Sequence, residues 1–127
     1  MYVNRETAMH LHAARNACLE IEGFVAGATR ESIRADRFLQ LALQKSMEIV
    51  GAALDAASAH DLGISDAIPD LRQYIDLRDH LFHDYDSIDY PALLVIATGR
   101  VPVLRQTLDE LLQGAPVSES GVPENPG

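Results

Sequence analysis

The feature that most constrains the fold is the helical spacing of apolar residues along most of the chain. After Asn4, a suitable N-cap, apolar residues recur at steps of three and four up to a stop at Gly27, which predicts an amphipathic helix. The face of this helix consists of Leu11, Ala14, Cys18, Ile21 and Val25. Strand-like alternation and internal repeats are absent from the sequence, so we expect an all-α fold.

A second, longer helix is predicted from about Ser32 to Ala59. One face of it carries Leu39, Leu43, Met47, Val50, Leu54 and Ala57. The small residues of "GAALDAASA", residues 51–59, would allow another helix to approach closely there.

The rest of the chain predicts a loop and shorter helices. His60–Pro69 has the Gly, Pro, Ser and Asp content of a loop. A third helix should start near Pro69, with Leu71, Ile75 and Phe82 close to one face. Later signals are an N-cap at Asp89, a helix restart at Pro102 and a last amphipathic piece at Val103–Leu112. We therefore predict an antiparallel bundle of about five helices over residues 1–113.

The length and net charge of the chain limit the number of domains and the functions that it can have. A chain of 127 residues suits one domain, and 47% apolar residues argue against a wholly disordered chain. The net charge of -9 argues against a protein that coats nucleic acid through charge alone, but a local phosphate-binding pocket remains compatible with it. Residues 114–127 form a Pro/Gly/Ser/Glu tail, which we predict to be disordered.

Cellular location and redox chemistry follow from a few features. Cys18 is the single cysteine, so no intrachain disulfide can form, and we expect it to pack as a small apolar residue. Without a recognisable signal peptide, the cytoplasm is the expected location. The longest apolar run, Ala92–Ala97, is too short to span a bilayer, so no membrane association is expected.

The stretch "LRDHLFHDYDSID", residues 77–89, concentrates the charged side chains. Arg78 and His83 are five residues apart, about 140° on a regular helix, so they do not share a face. If both serve one site, the helix must bend or end near His83, or two subunits must combine their residues. The polar residues His83–Ser87 could end the helix, and in an extended chain His83 and Tyr85 would point the same way.

Several roles are open for these side chains. His can move a proton near neutral pH and Arg can hold a phosphate, which together suffice for metal-independent RNA cleavage. Alternatively they are surface charges around a helix end. A divalent-ion site is a third option, since Asp76, His80 and His83 lie at i, i+4 and i+7. The sequence offers no further ligand cluster, so we expect neither a metal nor another cofactor.

The same stretch resembles the HEPN superfamily motif, and "RDHLFHDY" matches the Arg-x4-His-x-Tyr form of HepT-like toxins. Residues 35–54, 68–89 and 99–112 resemble the family's second long helix, motif helix and final helix. Members often have Gly-Glu-Ala where this chain has residues 51–53, Gly-Ala-Ala. Asn often follows the motif Arg, whereas Asp79 stands here, as the wider superfamily allows.

The resemblance implies a homodimer in which two motifs face each other across a cleft. It implies RNA as substrate, Arg78 and His83 as catalytic residues and Asp79 as a supporting residue. It also implies the toxin role in a toxin–antitoxin pair, with an MNT-type nucleotidyltransferase antitoxin that transfers AMP to Tyr85. The small-residue run and the divided motif also favour a dimer. The alternative is a catalytically inactive HEPN module that dimerises and binds the partner enzyme.

One basic feature stands apart from the acidic background. Arg30, Arg34 and Arg37 fall at i, i+4 and i+7 and would form a stripe at the start of the second helix. The stripe is a candidate contact for RNA or an acidic partner. The alternative is a solvent-exposed helix face on which Glu31 and Asp36 balance the positive charge of the arginines.

Overall fold

The computed structural model describes residues 3–114, which form seven α-helices and no strand. They are α1 (Arg5–Val25), α2 (Arg30–Ala35), α3 (Arg37–His60), α4 (Ile64–Ala67), α5 (Leu71–His83), α6 (Tyr90–Gly99) and α7 (Val101–Leu112). The predicted all-α class is confirmed. The predicted number of about five helices was too low, because α2 and α4 are too short to show apolar periodicity. Apart from Gly114, the predicted disordered tail lies outside the described residues.

The first helix forms as its sequence predicts. The Asn4 side chain accepts a hydrogen bond from the Thr7 backbone N–H at 2.8 Å and so caps the helix. Gly27 follows the helix with a positive φ of 78°, a conformation that glycine adopts without strain. All five residues of the predicted face are buried.

The prediction of one continuous helix from Ser32 to Ala59 is wrong in one respect, because the helix is interrupted at Asp36. Thr29 and Ser32 form a reciprocal capping box that starts α2. Asp36 is extended, and its carboxylate accepts a hydrogen bond from the Leu39 N–H at 3.0 Å, which starts α3. The local hydrogen bond of the Asp side chain competes with the continuous helix and ends α2.

The three longest-range pairings show that the helices pack antiparallel. At one end of the α1–α3 pair, Glu6 contacts His60 at 3.1 Å. Along α1 and α7, Arg15 pairs with Asp109, and Glu22 pairs with Arg105 at 2.6 Å. The core lies between these helices and α5, and its largest fully buried side chains include Leu11, Ile21, Leu43, Met47, Leu54, Leu81 and Leu108. Each such side chain contributes roughly 1.5–3 kcal/mol through burial.

The segment from His60 to His83 departs from the prediction at two points. The predicted loop at His60–Pro69 contains the single-turn helix α4. In α5, Leu71 and Ile75 are buried as predicted, but Phe82 is 67% exposed and Leu81 is buried in its place. Leu81 faces a small cavity that it shares with residues 88 and 93 of the following segment, so the core lies on that side of the last turn.

Helix α6 begins where the sequence indicates, and α7 begins at Val101, shortly before the predicted start at Val103. Asp89 caps α6 by accepting a hydrogen bond from the Ala92 N–H at 3.1 Å, and Pro91 lies in the first turn. The helix is interrupted at Arg100, and Pro102 lies in the first turn of α7. Of the helices in residues 3–114, none has both the length and the apolar character needed to cross a membrane.

Candidate functional site

The candidate site lies where α3 and α5 make a close contact, at Gly51. A methyl group at this position would lie 2.5 Å from the Arg78 Cβ and 2.7 Å from the Tyr74 carbonyl oxygen. Because carbon atoms need well over 3 Å, any larger residue would push the two helices apart. The close approach predicted for the small-residue run is confirmed here. It presses the stem of Arg78 against α3 of the same chain.

The guanidinium of Arg78 is held by two carboxylates. Its Nε and Nη2 groups donate to the same oxygen of Asp79 at 3.0 and 2.9 Å. Its Nη2 also lies 3.5 Å from a carboxylate oxygen of Asp55. The side chain is 29% exposed, so one side of it still faces solvent. Arg78 is therefore oriented before any substrate arrives, and both of its partners compensate its charge.

Asp55 was not identified from the sequence. It lies one turn after Ala52, the position where the resemblance implied a glutamate. Glu48 lies one turn before Ala52, so acidic side chains flank that position at i−4 and i+3 on the same face. This spacing was the feature of the sequence that could have identified Asp55 and Glu48 as site residues. It shows that carboxylates remain near Arg78 although residue 52 is an alanine.

A groove with a volume of about 360 Å³ opens between α3 and α5 beside Arg78. It is lined by two cations, two carboxylates and three apolar residues. They are Lys45, Glu48, Ile49 and Ala52 of α3, and Arg78, Asp79 and Phe82 of α5. Only Arg78 and Asp79 among these were predicted as site residues from the sequence, because the α3 residues join them through tertiary packing.

His83 is the last residue of α5 and is exposed. Its ring meets the ring of Phe82 edge-on, with centroids 5.3 Å apart. The predicted helix end near His83 is confirmed, since Asp84 leaves the helical conformation. His83 is not among the residues that line the groove beside Arg78. In a single copy of the chain, His83 therefore lies outside the groove that Arg78 lines.

Tyr85 lies in a turn, so the segment does not meet the condition, an extended chain, under which His83 and Tyr85 would point the same way. The Ser87 N–H donates to the Asp84 carbonyl oxygen at 2.9 Å, which closes the turn around Tyr85. The polar side chains and backbone satisfy each other locally, so the segment does not extend. Tyr85 is 68% exposed. Its phenol is accessible. Alternating side-chain directions apply only to an extended chain, so the turn gives no basis for expecting Tyr85 and His83 to point the same way.

The metal alternative finds no support in the positions of its three residues. His80 Nδ1 lies 3.1 Å from a carboxylate oxygen of Asp84, and the two form an i, i+4 pair. Asp76 pairs with Arg72 at 3.6 Å. Throughout residues 3–114, no group of three or more His, Cys, Asp or Glu side chains is arranged to hold a metal ion.

The arginine stripe predicted at the start of the second helix is interrupted by the break at Asp36. Arg30 and Arg34 belong to α2, whereas Arg37 opens α3. Arg37 donates to the Tyr90 hydroxyl at 3.2 Å and to a neighbouring glutamine at 3.0 Å, and so ties α3 to α6. These arginines do not form one continuous helix face. Contact of any of them with RNA or a partner stays a prediction.

A row of exposed apolar side chains borders the groove. On α3 it consists of Phe38, which is 88% exposed, followed by Leu41, Ile49 and Ala52 on the same helix face. Phe82 of α5 continues the row across the groove. We call these five residues the apolar row. Exposed apolar residues gathered on one face in this way are typical of interaction surfaces.

The single cysteine lies away from the groove. Burial is the main factor that raises the pKa of the Cys18 thiol to about 12, and the nearby Glu22 carboxylate acts in the same direction. The thiol is fully buried and stays protonated at neutral pH. Its predicted role as a small packing residue agrees with this environment.

Comparison with known proteins gives one match. A family model described as Ribonuclease HepT-like matches residues 14–111, which include α3, α5 and the whole groove. Neither the curated proteins nor the solved structures contain a significant match to the chain.

Proposed function

We propose, from the premise that this chain belongs to the HepT-like ribonuclease family, that it is a metal-independent endoribonuclease and the toxin of a toxin–antitoxin pair. The proposal rests mainly on the arrangement around Arg78. The Gly51 contact and the carboxylate of Asp79 hold this guanidinium at the edge of a groove wide enough for a phosphate and its sugar. His83 lies five residues later on the same helix, at its exposed end.

The proposed reaction is an attack of the ribose 2′-oxygen on the adjacent phosphorus. The bond from phosphorus to the 5′-oxygen breaks, which leaves a 2′,3′-cyclic phosphate and a 5′-hydroxyl. His83 takes the proton from the 2′-hydroxyl or supplies the proton to the leaving 5′-oxygen, and water carries out the other of these two proton transfers. Arg78 stabilises the negative charge that builds on the phosphoryl oxygens. Neither step requires a metal.

A homodimer solves the geometric problem posed by Arg78 and His83. Because His83 does not line the groove at Arg78 in one copy, we propose that His83 of one copy completes the site at Arg78 of the other, or that both pairs border one cleft. The apolar row supplies the surface for this contact. Burying Phe38 and Phe82 against a second copy would each contribute roughly 1.5–3 kcal/mol.

The proposed partner is an MNT-type nucleotidyltransferase antitoxin that modifies Tyr85. The phenol oxygen attacks the α-phosphorus of ATP, pyrophosphate leaves and the phenol proton passes to solvent. The exposed turn allows another enzyme to reach Tyr85. The added phosphate brings negative charge next to the motif, and its nucleotide occupies space that RNA needs.

An assay of RNA cleavage in the presence of a metal chelator tests the catalytic proposal. We expect purified protein to cut single-stranded RNA with EDTA present and to leave 2′,3′-cyclic phosphate ends. Arg78→Ala and His83→Ala should each reduce the cleavage rate by at least 100-fold, on the order of one lost catalytic group. Matched controls on the same helix are Arg72→Ala and His80→Ala, which remove exposed partners of Asp76 and Asp84.

Each result has a definite meaning. Wild-type rates in both controls and inactive variants at Arg78 and His83 support the assignment. Loss of activity in His80→Ala with retention in His83→Ala would refute it. Sedimentation of wild-type protein as a monomer at micromolar concentration would refute the composite site, and Phe82→Glu should shift a dimer toward the monomer.

The modification of Tyr85 has its own test. Co-expression with the antitoxin should add one or more AMP units to the protein, all on Tyr85, as measured by intact mass and peptide mapping. Tyr90 is the internal control, because its hydroxyl donates to Gln44 at 2.9 Å and accepts from Arg37. An unmodified Tyr85 beside an active antitoxin would refute modification as the mode of control.

One observation favours a second candidate function, a catalytically inactive module that dimerises and binds the partner enzyme. Arg78 already has two carboxylate partners, so a phosphate must compete with Asp55 and Asp79. Such a module would bind the nucleotidyltransferase but leave RNA intact. Absence of cleavage on total cellular RNA, together with a stable complex with the partner, would favour this second function.

A further inference from the structure

Lys45 is the only lysine in the chain, and it lines the same groove as Arg78 although 33 positions separate them. It belongs to α3, is exposed and makes no hydrogen bond or ion pair with any residue of the described range. Arg78, by contrast, contacts two carboxylates. Of the two cations that line the groove, Lys45 is therefore the one that forms no ion pair with the described residues.

The position of Lys45 within the apolar row points to an anionic ligand. Along α3 the row has a gap of eight residues between Leu41 and Ile49, and Lys45 fills this gap on the same face, four residues from each of them. Covering an ammonium group with an apolar partner surface costs free energy unless an anion is bound to it. A surface used only for protein association would be stronger with an apolar residue at position 45.

The balance of charge in the groove also depends on Lys45. The lining holds Lys45 and Arg78 against Glu48 and Asp79, so their formal charges cancel. Asp55, which contacts Arg78, adds a further negative charge, so without Lys45 the negative charges around Arg78 would outweigh its single positive charge and would repel a phosphodiester. A chain with a net charge of -9 has few other means of attracting RNA to this position.

We infer that Lys45 binds a phosphate of single-stranded RNA next to the scissile one, and so acts as a substrate-binding residue of the groove. This inference rests on the proposed ribonuclease function. Lys45 supplies a mobile point charge for binding, whereas the fixed fork of Arg78 contacts the reacting phosphate. Each adjacent phosphate contributes through counterion release, so the contact should be visible in the salt dependence of binding.

Binding of a 2′-O-methyl RNA tests the inference, because this RNA lacks the attacking hydroxyl and stays intact. Lys45→Ala should weaken its binding about five- to tenfold, and should lower the slope of log affinity against log salt concentration by about 0.7 for each phosphate that the lysine neutralises. Lys45→Arg should keep most of the affinity. Arg72→Ala is the matched control, because it removes the same charge from an exposed position that does not line the groove.

The single lysine permits a second, direct measurement. An amine-reactive reagent can modify Lys45 and the terminal amine, and peptide mapping separates the two. We expect the 2′-O-methyl RNA to protect Lys45 at constant protein concentration, while sedimentation shows that Lys45→Ala dimerises at least as strongly as the wild type.

The outcomes separate failure of the inference from failure of the proposed function. If wild-type protein cleaves RNA but Lys45→Ala binds and cleaves equally well, or RNA leaves Lys45 unprotected, the inference is wrong and the ribonuclease proposal stands. If Lys45→Ala loses the dimer, Lys45 is an interface residue and the inference is wrong. If the wild type neither binds nor cleaves RNA, the proposed function fails and the inference fails with it.

Discussion

Gly51→Ala should destabilise the protein and impair the groove, although alanine is normally the better helix former. In a helix interior, replacing Gly with Ala stabilises by roughly 0.5–1 kcal/mol. At position 51 the new Cβ would meet the Arg78 Cβ at 2.5 Å, whereas ordinary contacts begin at 3.4 Å. The difference requires α3 and α5 to separate by roughly 1 Å. Overpacking of this kind costs about 1–3 kcal/mol.

Gly23→Ala is the matched control, because it adds the same methyl group to α1 with no heavy atom within 4 Å. This glycine lies in the last turn of the helix, so its gain should be near the lower limit of about 0.5 kcal/mol. The helix-propensity gains of the two variants differ by no more than about 0.5 kcal/mol, so the difference between the variants mainly reflects the packing cost. We expect Gly51→Ala to be less stable than Gly23→Ala by about 1–3 kcal/mol, on the order of 4 °C in Tm per kcal/mol.

Thermal and urea denaturation followed by circular dichroism measure this difference. RNA cleavage at a temperature where both variants are folded measures the effect on the groove, because the Ala methyl group displaces the stem of Arg78. A Gly51→Ala variant as stable as Gly23→Ala, with wild-type cleavage, would refute both the close approach and its role in orienting Arg78.

Three further predictions concern buried or perturbed groups. The Tyr74 hydroxyl is buried without a hydrogen-bond partner in the described part of the chain, so Tyr74→Phe should raise the free energy of unfolding by about 1 kcal/mol; a loss of stability would reveal a bound water or another partner. A hydrogen bond from Arg15 is the main factor that lowers the pKa of Asp109 below its ordinary value of 3.8. The ionised Asp109 therefore stabilises the folded protein above about pH 4, and this contribution is lost as the pH falls through the folded pKa. Asp109→Asn should therefore be less stable than wild type at pH 7, by no more than about 1 kcal/mol because the ion pair is partly exposed. This difference in the free energy of unfolding should disappear in acid. A difference that does not change with pH would contradict this account. Cys18 should react with thiol reagents only as fast as the protein unfolds, because its side chain is fully buried; rapid labelling of folded protein at pH 7 would contradict this burial.

Local chemistry made much of the fold predictable from the sequence. Asn4 and Asp89 cap helices because a short polar side chain bonds the free N–H groups of the next turn, which involves only neighbouring residues. The buried face of α1 likewise follows from the 3.6-residue period alone. Arg78 was identified through a motif of nearby residues, so its candidacy also required no knowledge of the tertiary structure.

Other features depended on which helices meet, and the sequence left them undetermined. Leu81 and Phe82 are adjacent apolar residues near the end of α5, and only the packing of neighbouring segments decides that Leu81 is buried and Phe82 exposed. Lys45, Asp55 and Arg78 come together because Gly51 lets α3 and α5 touch, and no local pattern links positions so far apart. Periodicity determines which face of a helix is apolar, whereas tertiary packing determines which part of that face is covered and which side chains share the groove.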